Sequence, residues 1–253
     1  MSVDHLFQLK DKVAIITGAS KGIGEATARC FVEAGALVVI NSRKEEEIIT
    51  LARDISSDRC IGISGNMGEL NDCKKLIQAA TEKWGGVDVL VNNAAINPVY
   101  GPLLESDGNA FDKIIKVNVK GPFELSNLVH PIMKQRGGGA IINISSIEGL
   151  SPDDGMSLYA ISKAALNMLT KAQAKEWGID GIRVNAICPG IIKTKFSRVL
   201  WENEDIFKKI TKNIAIPRAG TPAEIASLAL YLACDASSYT TGAILVADGG
   251  TTL

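Results

Sequence analysis

Apolar residues fall along this chain in short unbroken runs separated by longer amphipathic stretches. The runs are V-A-I-I-T (13–17), A-L-V-V-I-N (36–41), C-I-G-I-S (60–64), V-D-V-L-V-N-N (87–93), A-I-I-N-I-S (140–145), I-R-V-N-A-I-C (182–188) and G-A-I-L-V-A (242–247). They are rich in Val and Ile and apolar at successive positions, as strands buried on both faces are. Residues 25–34, 44–56, 70–84, 107–135, 157–177 and 222–234 have helical periodicity, and glycines follow several of them, at Gly35, at Gly85 and Gly86, and at Gly137 to Gly139. The alternation predicts an α/β fold: a doubly wound, Rossmann-type, seven-stranded parallel sheet with helices on both faces. No linker or repeat divides the chain, so residues 1–253 are expected to form a single domain. An amphipathic stretch at 195–215 has no place in the alternation and is expected to be a substrate lid, beginning near 191.

Composition narrows the function. The net charge is -1 over 253 residues, so no global field invites nucleic acid or an anionic membrane. No apolar run approaches the roughly 18 residues that cross a bilayer, and M-S-V-D-H-L-F-Q-L-K lacks the apolar core of a signal peptide. Cys30, Cys60, Cys73, Cys188 and Cys234 are scattered and odd in number, which suits reduced thiols and a cytoplasmic location. The two histidines, His5 and His130, are too few for a histidine-rich metal site, and no Cys/His cluster has zinc spacing, so no metal is expected. G-x-S-x-G is absent, which argues against a nucleophile-elbow hydrolase.

Candidate chemistry begins after the first strand, in T-G-A-S-K-G-I-G. Gly18, Gly22 and Gly24 at a strand-to-helix turn permit close backbone approach to a phosphate, which the N–H groups of the following helix can bind. The second strand ends N-S-R-K, with no acid to hold a ribose 2′-hydroxyl. Arg43 can grip a 2′-phosphate in forked geometry and Lys21 adds a point charge, which favours NADP(H) over NAD(H). Glu45, Glu46 and Glu47 soften that local field.

Tyr159 and Lys163 stand four residues apart, on one face of a predicted helix. A phenol ordinarily titrates near pH ~10. A fixed positive charge beside it favours the phenolate and would let it trade protons closer to neutrality. Such pairs also occur by chance on many helices, so the pair alone assigns nothing.

Taken together, T-G-A-S-K-G-I-G (17–24), N-N-A-A (92–95), Asn118 in K-V-N-V-K-G, Ser146 in I-S-S-I-E-G, Y-A-I-S-K (159–163) and P-G-I-I-K-T (189–194) resemble the short-chain dehydrogenase/reductase family over essentially the whole chain. G-I-I-K-T-K-F-S-R-V-L-W (190–201) is similar to NADPH-dependent carbonyl and retinal reductases, and 3-oxoacyl-carrier-protein reductases are similar too. The resemblance implies that Tyr159 protonates a carbonyl oxygen as hydride arrives. It implies that Lys163 lowers the phenol's pKa and holds the nicotinamide ribose, that Ser146 orients the substrate, and that Asn118 kinks its helix and holds a water. Ser146 is chosen over the adjacent Ser145 because the family's serine lies thirteen residues before its tyrosine. Cofactor contacts are implied for Gly18, Ser20, Lys21, Gly22, Ile23, Gly24, Ser42, Arg43, Asn66, Met67, Asn93, Tyr159, Lys163, Ile192 and Thr194. Asn66 stands where many relatives carry Asp, and Ala95 replaces the glycine more usual in N-N-A-G.

The expected activity is NADPH-dependent reduction of a ketone or aldehyde, reversible as alcohol oxidation. The alternatives are a 3-oxoacyl-carrier-protein reductase, an NADP-linked alcohol or sugar-alcohol dehydrogenase, and a non-enzymatic cofactor-binding regulatory module. Phe196, Leu200 and Trp201 are candidate apolar contacts to the substrate, and Trp201 packing against the body or a second subunit is the competing expectation. The family resemblance also implies a homotetramer, with the last strand and D-G-G-T-T-L near an interface.

Overall fold

A computed structural model describes residues 6–202, 204–212 and 214–253. His5 lies outside the described residues, as does the side chain of Leu200. Seven strands form one sheet: β1 (Val13–Ile16), β2 (Leu37–Ser42), β3 (Cys60–Ser64), β4 (Val89–Asn92), β5 (Gly139–Ile144), β6 (Ile182–Pro189) and β7 (Ile244–Ala247). Their order across the sheet is β3-β2-β1-β4-β5-β6-β7, and every neighbouring pair is parallel. Parallel neighbours need crossovers. Among the described residues these are built on α1 (Gly22–Glu33), α2 (Glu45–Ile55), α3 (Leu70–Trp84), α4 (Gly108–Ile115) continuing into α5 (Gly121–Gln135), and α6 (Ser157–Trp177). The long return from β6 to β7 carries α7 (Arg198–Trp201), α8 (Glu204–Thr211) and α9 (Pro222–Ala233).

β1 shows why the strand runs are unbroken. Ala14 and Ile16 face one apolar cluster, Val13 and Ile15 the other. The first cluster includes Ala28 and Phe31 of α1, Ile48 and Ala52 of α2, and Ile225 and Ala229 of α9. The second includes Leu76 and Ile77 of α3, Leu125, Val129 and Met133 of α5, and Ala174 of α6. Both faces therefore contribute about 1.5–3 kcal/mol per fully buried large aliphatic side chain.

Three departures from the periodicity have physical causes. α1 starts at Gly22, because the glycine-rich turn itself supplies the first helical turn. The stretch 107–135 is interrupted: Lys116–Lys120 is π-helical, carries the buried Asn118, and kinks α4 into α5. Such bulges are frequent at functional sites. Gly121 follows the bulge because a Cβ there would lie 2.3 Å from the Met67 carbonyl oxygen. The lid stretch forms two short helices, α7 and α8, rather than one. Since all strands run the same way, the loops after β1 to β6 leave one edge of the sheet. They surround the crevice between β1 and β4, where the strand order reverses, the usual ligand site of such sheets.

Candidate active site

At the crevice floor the chain leaves β1 through Gly18 and Gly22, both at φ of 62°, a region that glycine enters at little cost. Space decides these positions as well. A Cβ on Gly18 would lie 2.7 Å from Ala94 Cα, and one on Gly24 2.6 Å from Asn93 Nδ2. A Cβ on Gly22 would lie 3.2 Å from Thr194 Cγ2, so Thr194 overhangs the turn. Lys21 is the N-cap of α1 and caps nothing with its side chain. The first-turn N–H groups are thus available to an anion. Ser20 is half-buried in the turn, and Ile23 packs partly on the first core cluster.

Asn93 holds this turn in shape. Its amide donates to the carbonyl oxygens of Thr17 and Gly18, each at 2.9 Å. Thr17 Oγ1 accepts the backbone N–H groups of Asn93 and Ala94, each at 3.0 Å. Asn93 was expected beside the cofactor ribose; both of its amide protons serve the protein's own backbone. Thr17 was missed, although it opens the quoted T-G-A-S motif.

At the end of β2, Asn41 is buried and ties three elements together. It donates to Ile63 O and Gly65 O at 3.1 and 3.2 Å, and its carbonyl accepts Ala19 N–H at 2.8 Å. Ser42 is half-buried and Arg43 exposed. Lys44 pairs with Glu47. Among the described residues, Arg43 and Lys21 have neither an ion pair nor a side-chain hydrogen bond. The Glu47 carboxyl is held below its usual range by Lys44 first, with Lys21 and Lys195 adding to the field. Lys195 of the lid loop was not anticipated in this basic cluster. Asn66 Oδ1 accepts Gly68 N–H at 3.1 Å. Met67 is buried in the second core cluster, and its carbonyl oxygen meets Gly121 and the Cys73 thiol.

Ser145 and Ser146 follow β5 and take separate duties. Ser145 Oγ donates to Lys163 O at 3.2 Å, locking α6 to the sheet. Ser146 Oγ accepts Glu148 N–H at 3.2 Å, and its hydroxyl acts to lower the pKa of Tyr159. Tyr159 and Lys163 are buried, 8% and 2% exposed. Lys163 Nζ donates to Ile144 O at 2.7 Å and stands 5.5 Å from the Tyr159 ring centroid. Burial pushes the Tyr159 hydroxyl well above the usual phenol range, with the Ser146 hydroxyl opposing it. Burial lowers the Lys163 ammonium to about 8. This runs against the expectation of a phenol drawn towards neutrality: in the protein alone, desolvation of the phenolate is the largest cause and outweighs the lowering by Ser146.

Asn118 uses its whole side chain. Its Oδ1 accepts Ile96 N–H, and its Nδ2 donates to Ile96 O, both at 2.9 Å. Nδ2 also donates to Ser162 Oγ at 3.0 Å. The π-turn is thereby bound to the loop after β4 and to α6.

On the lid side, Phe196 is 57% exposed and its ring lies 6.1 Å from that of Tyr159. Trp201 folds back on its own loop: its indole N–H donates to Thr194 O at 3.0 Å, and Lys193 Nζ lies 5.4 Å from the ring. Ile192 is buried and bridged to Gly220, and Thr194 is held by Ser197. Two further residues went unassigned. Glu148 is a buried carboxyl two residues beyond Ser146, raised by burial to about 7, and a lone acid in I-S-S-I-E-G-L-S-P was its signal. Asn97 has a buried Oδ1 without a partner. Among the described residues no group of three His, Cys, Asp or Glu could hold a metal ion.

Comparison with known proteins agrees with this arrangement. The family described as Enoyl-(Acyl carrier protein) reductase matches residues 18–252. "Dehydrogenase/reductase SDR family member 4" of Caenorhabditis elegans is 41% identical over 249 residues, 96% of each chain. Its human namesake is 37% identical over 246 residues, 96% of this chain and 88% of that protein. A crystal structure of a gluconate 5-dehydrogenase from Burkholderia cenocepacia, in complex with NADP and tartrate, superimposes with a TM-score of 0.94 at 33% identity, covering 99% of both chains. A glycine turn entering α1, a buried Tyr–Lys pair beside a serine and relatives that span nearly the whole chain lead to one assignment: this chain belongs to the short-chain dehydrogenase/reductase family of oxidoreductases.

Proposed function

We propose that the chain reduces a ketone or aldehyde with NADPH, reversibly as an alcohol dehydrogenase, with Tyr159 as the proton donor. The observation that carries this reading is the burial of Tyr159 with Lys163 Nζ 5.5 Å from its ring, next to the turn that carries Ser146. Two hydroxyl donors aimed at one substrate oxygen would stabilise the negative charge that develops there. The raised pKa of Tyr159 keeps its proton in place at neutral pH, the state a donor needs at the start of a reduction. A bound nicotinamide would supply the hydride. Lys163 spends one of its three N–H donors on Ile144 O, leaving two for the ribose hydroxyls. Gly18, Gly22, Gly24, Ser20 and Ile23 would cradle the pyrophosphate, Asn66 and Met67 O the adenine side, and Ile192 and Thr194 the carboxamide. Asn118 fixes the kink against α6 and is the proposed holder of a water leading from Lys163.

The cofactor preference is argued from charge. Among the described residues, Arg43 after β2 and Lys21 in the glycine turn have no ion pair or side-chain hydrogen bond, and β2 ends without an acid. The NADP in the Burkholderia relative supports the same preference. That relative also favours a second reading, an NADP-linked alcohol or sugar-alcohol dehydrogenase. A homotetramer is proposed from the family and from exposed Phe111, Phe123, Ile161 and Met168 on α4, α5 and α6; a monomer in sedimentation contradicts it. The cytoplasm is proposed from five free thiols, and no helix among the described residues is long and apolar enough to cross a membrane. Arg43→Ala tests the cofactor assignment. KM for NADPH should rise about tenfold or more while NADH is unaffected, a loss of one charge-assisted contact. Equal effects on both cofactors overturn it.

A further inference from the structure

Glu148 sits on the turn between Ser146 and α6, and the turn is pressed onto the catalytic helix. A Cβ on Gly149 would lie 2.7 Å from the Lys163 carbonyl carbon. The Glu148 side chain is buried, 9% exposed. Its Oε2 accepts Asp153 N–H at 2.9 Å, and the Asp153 carboxyl acts to raise its pKa. Its own N–H is bound to Ser146 Oγ. Among the described residues no lysine or arginine forms an ion pair with it, and its charge reaches the Tyr159 hydroxyl. Among the described residues, a buried carboxyl group without an ion pair is thus held on the turn whose backbone bonds Ser146 Oγ, and its charge acts on Tyr159.

The neighbouring loop after β4 presents a second acceptor. Asn97 Nδ2 donates to Met156 Sδ at 3.2 Å, while its Oδ1 is buried and unpartnered. Gly101 N–H to Gly155 O, 3.1 Å, joins the two loops. A substrate hydroxyl can donate to such oxygens. A carboxylate can only accept, and it meets a like charge.

We propose that Glu148 is a specificity-determining residue that favours neutral, hydroxyl-bearing carbonyl substrates and rejects those with a carboxylate next to the reacting carbon. The inference rests on the carbonyl-reductase reading and names the substrate class of that site. Two unit charges some 6 Å apart near a protein surface differ from the uncharged case by about 10- to 100-fold in affinity. Discrimination should follow the Glu148 proton, present below about pH 7 and lost above it. The other titratable groups on the elements packed against this turn are Asp153, Tyr159, Lys163 and Cys188. Burial pushes Tyr159 and Cys188 upward, so both stay neutral through this range, and Lys163 is largely protonated below about 8.

The test compares wild type with Glu148→Gln, which keeps an oxygen for Asp153 N–H, and with Glu148→Ala. The probes are hydroxymethyl phenyl ketone and phenylglyoxylate, matched in size and different in charge. The wild-type preference in kcat/KM for the neutral ketone should fall at least about tenfold in Glu148→Gln at about pH 7.5. It should shrink in wild type at about pH 6 and not move with pH in the variant. The same preference in both proteins at both pH values overturns the inference. Affinities of the two ketones for the NADP-loaded proteins, measured by calorimetry, decide the matter separately from turnover. An unchanged binding preference refutes the role of Glu148, whereas binding selectivity without reduction of any ketone refutes the carbonyl-reductase reading and leaves the selectivity in place.

Discussion

Lys163→Met should make the cofactor-free protein more stable at neutral pH while ending its proposed catalysis. Lys163 is 2% exposed, and burial lowers its ammonium from 10.5 to about 8. A lowered folded-state pKa means that the unfolded chain binds more protons between about 8 and 10.5. Wild-type stability therefore rises with pH across that window and is lowest below it. At ~1.36 kcal/mol per pH unit, the charged ammonium costs the folded protein about 3 kcal/mol at neutrality. Methionine has similar length and no charge. It forfeits the 2.7 Å bond to Ile144 O, which costs about 1 kcal/mol and leaves that carbonyl unpaired. The net expectation is about 2 kcal/mol of added stability near pH 7, fading by about pH 10. Urea unfolding of both proteins across this range, without nucleotide, measures it. A variant less stable by the same amount at every pH would show that Lys163 carries no buried-charge penalty. NADPH should reverse the order, because ligand binding stabilises only the protein that retains the contact.

The remaining predictions concern the glycine turn. Asn93→Ala leaves the Thr17 and Gly18 carbonyls without their amide partner and should cost about 2–4 kcal/mol in urea unfolding, with weakened NADPH binding. Gly24→Ala places a Cβ 2.6 Å from Asn93 Nδ2 and displaces the same clamp. The double variant should therefore lose clearly less than the sum of the two single losses, and strict additivity in a double-mutant cycle would contradict the shared clamp.

The sheet was legible because its central strands are buried on both faces. V-A-I-I and L-V-V-I can only be read as covered strands, and the structure distributes successive residues of β1 to two cores. Periodicity alone did not show the π-turn at Lys116–Lys120, because it reads a helix and not one extra residue in a turn; only the family pattern, through Asn118, pointed to a break there. The family pattern singled out Ser146, and the structure shows a physical difference from Ser145: the Ser145 hydroxyl is spent on the Lys163 carbonyl, whereas Ser146 Oγ accepts Glu148 N–H. The direction of the Tyr159 shift was misjudged, since spacing reports proximity and not desolvation. The duty of Asn93 was missed for a similar reason, because its partners lie in a loop more than seventy residues away. Trp201 was open to two readings, contact with substrate or packing on the body or a second subunit, and its indole N–H is donated within its own loop to Thr194 O.

The most direct measurement of the proposed chemistry is NADPH oxidation by Tyr159→Phe with a ketone that wild type reduces, alongside NADPH affinity by fluorescence. Phenylalanine keeps the ring beside Phe196 and the Lys163 ammonium and removes only the hydroxyl. The account predicts that turnover falls by at least about 100-fold, as loss of a general acid does, with NADPH affinity little changed. Near-normal turnover in this variant would contradict Tyr159 as the proton donor.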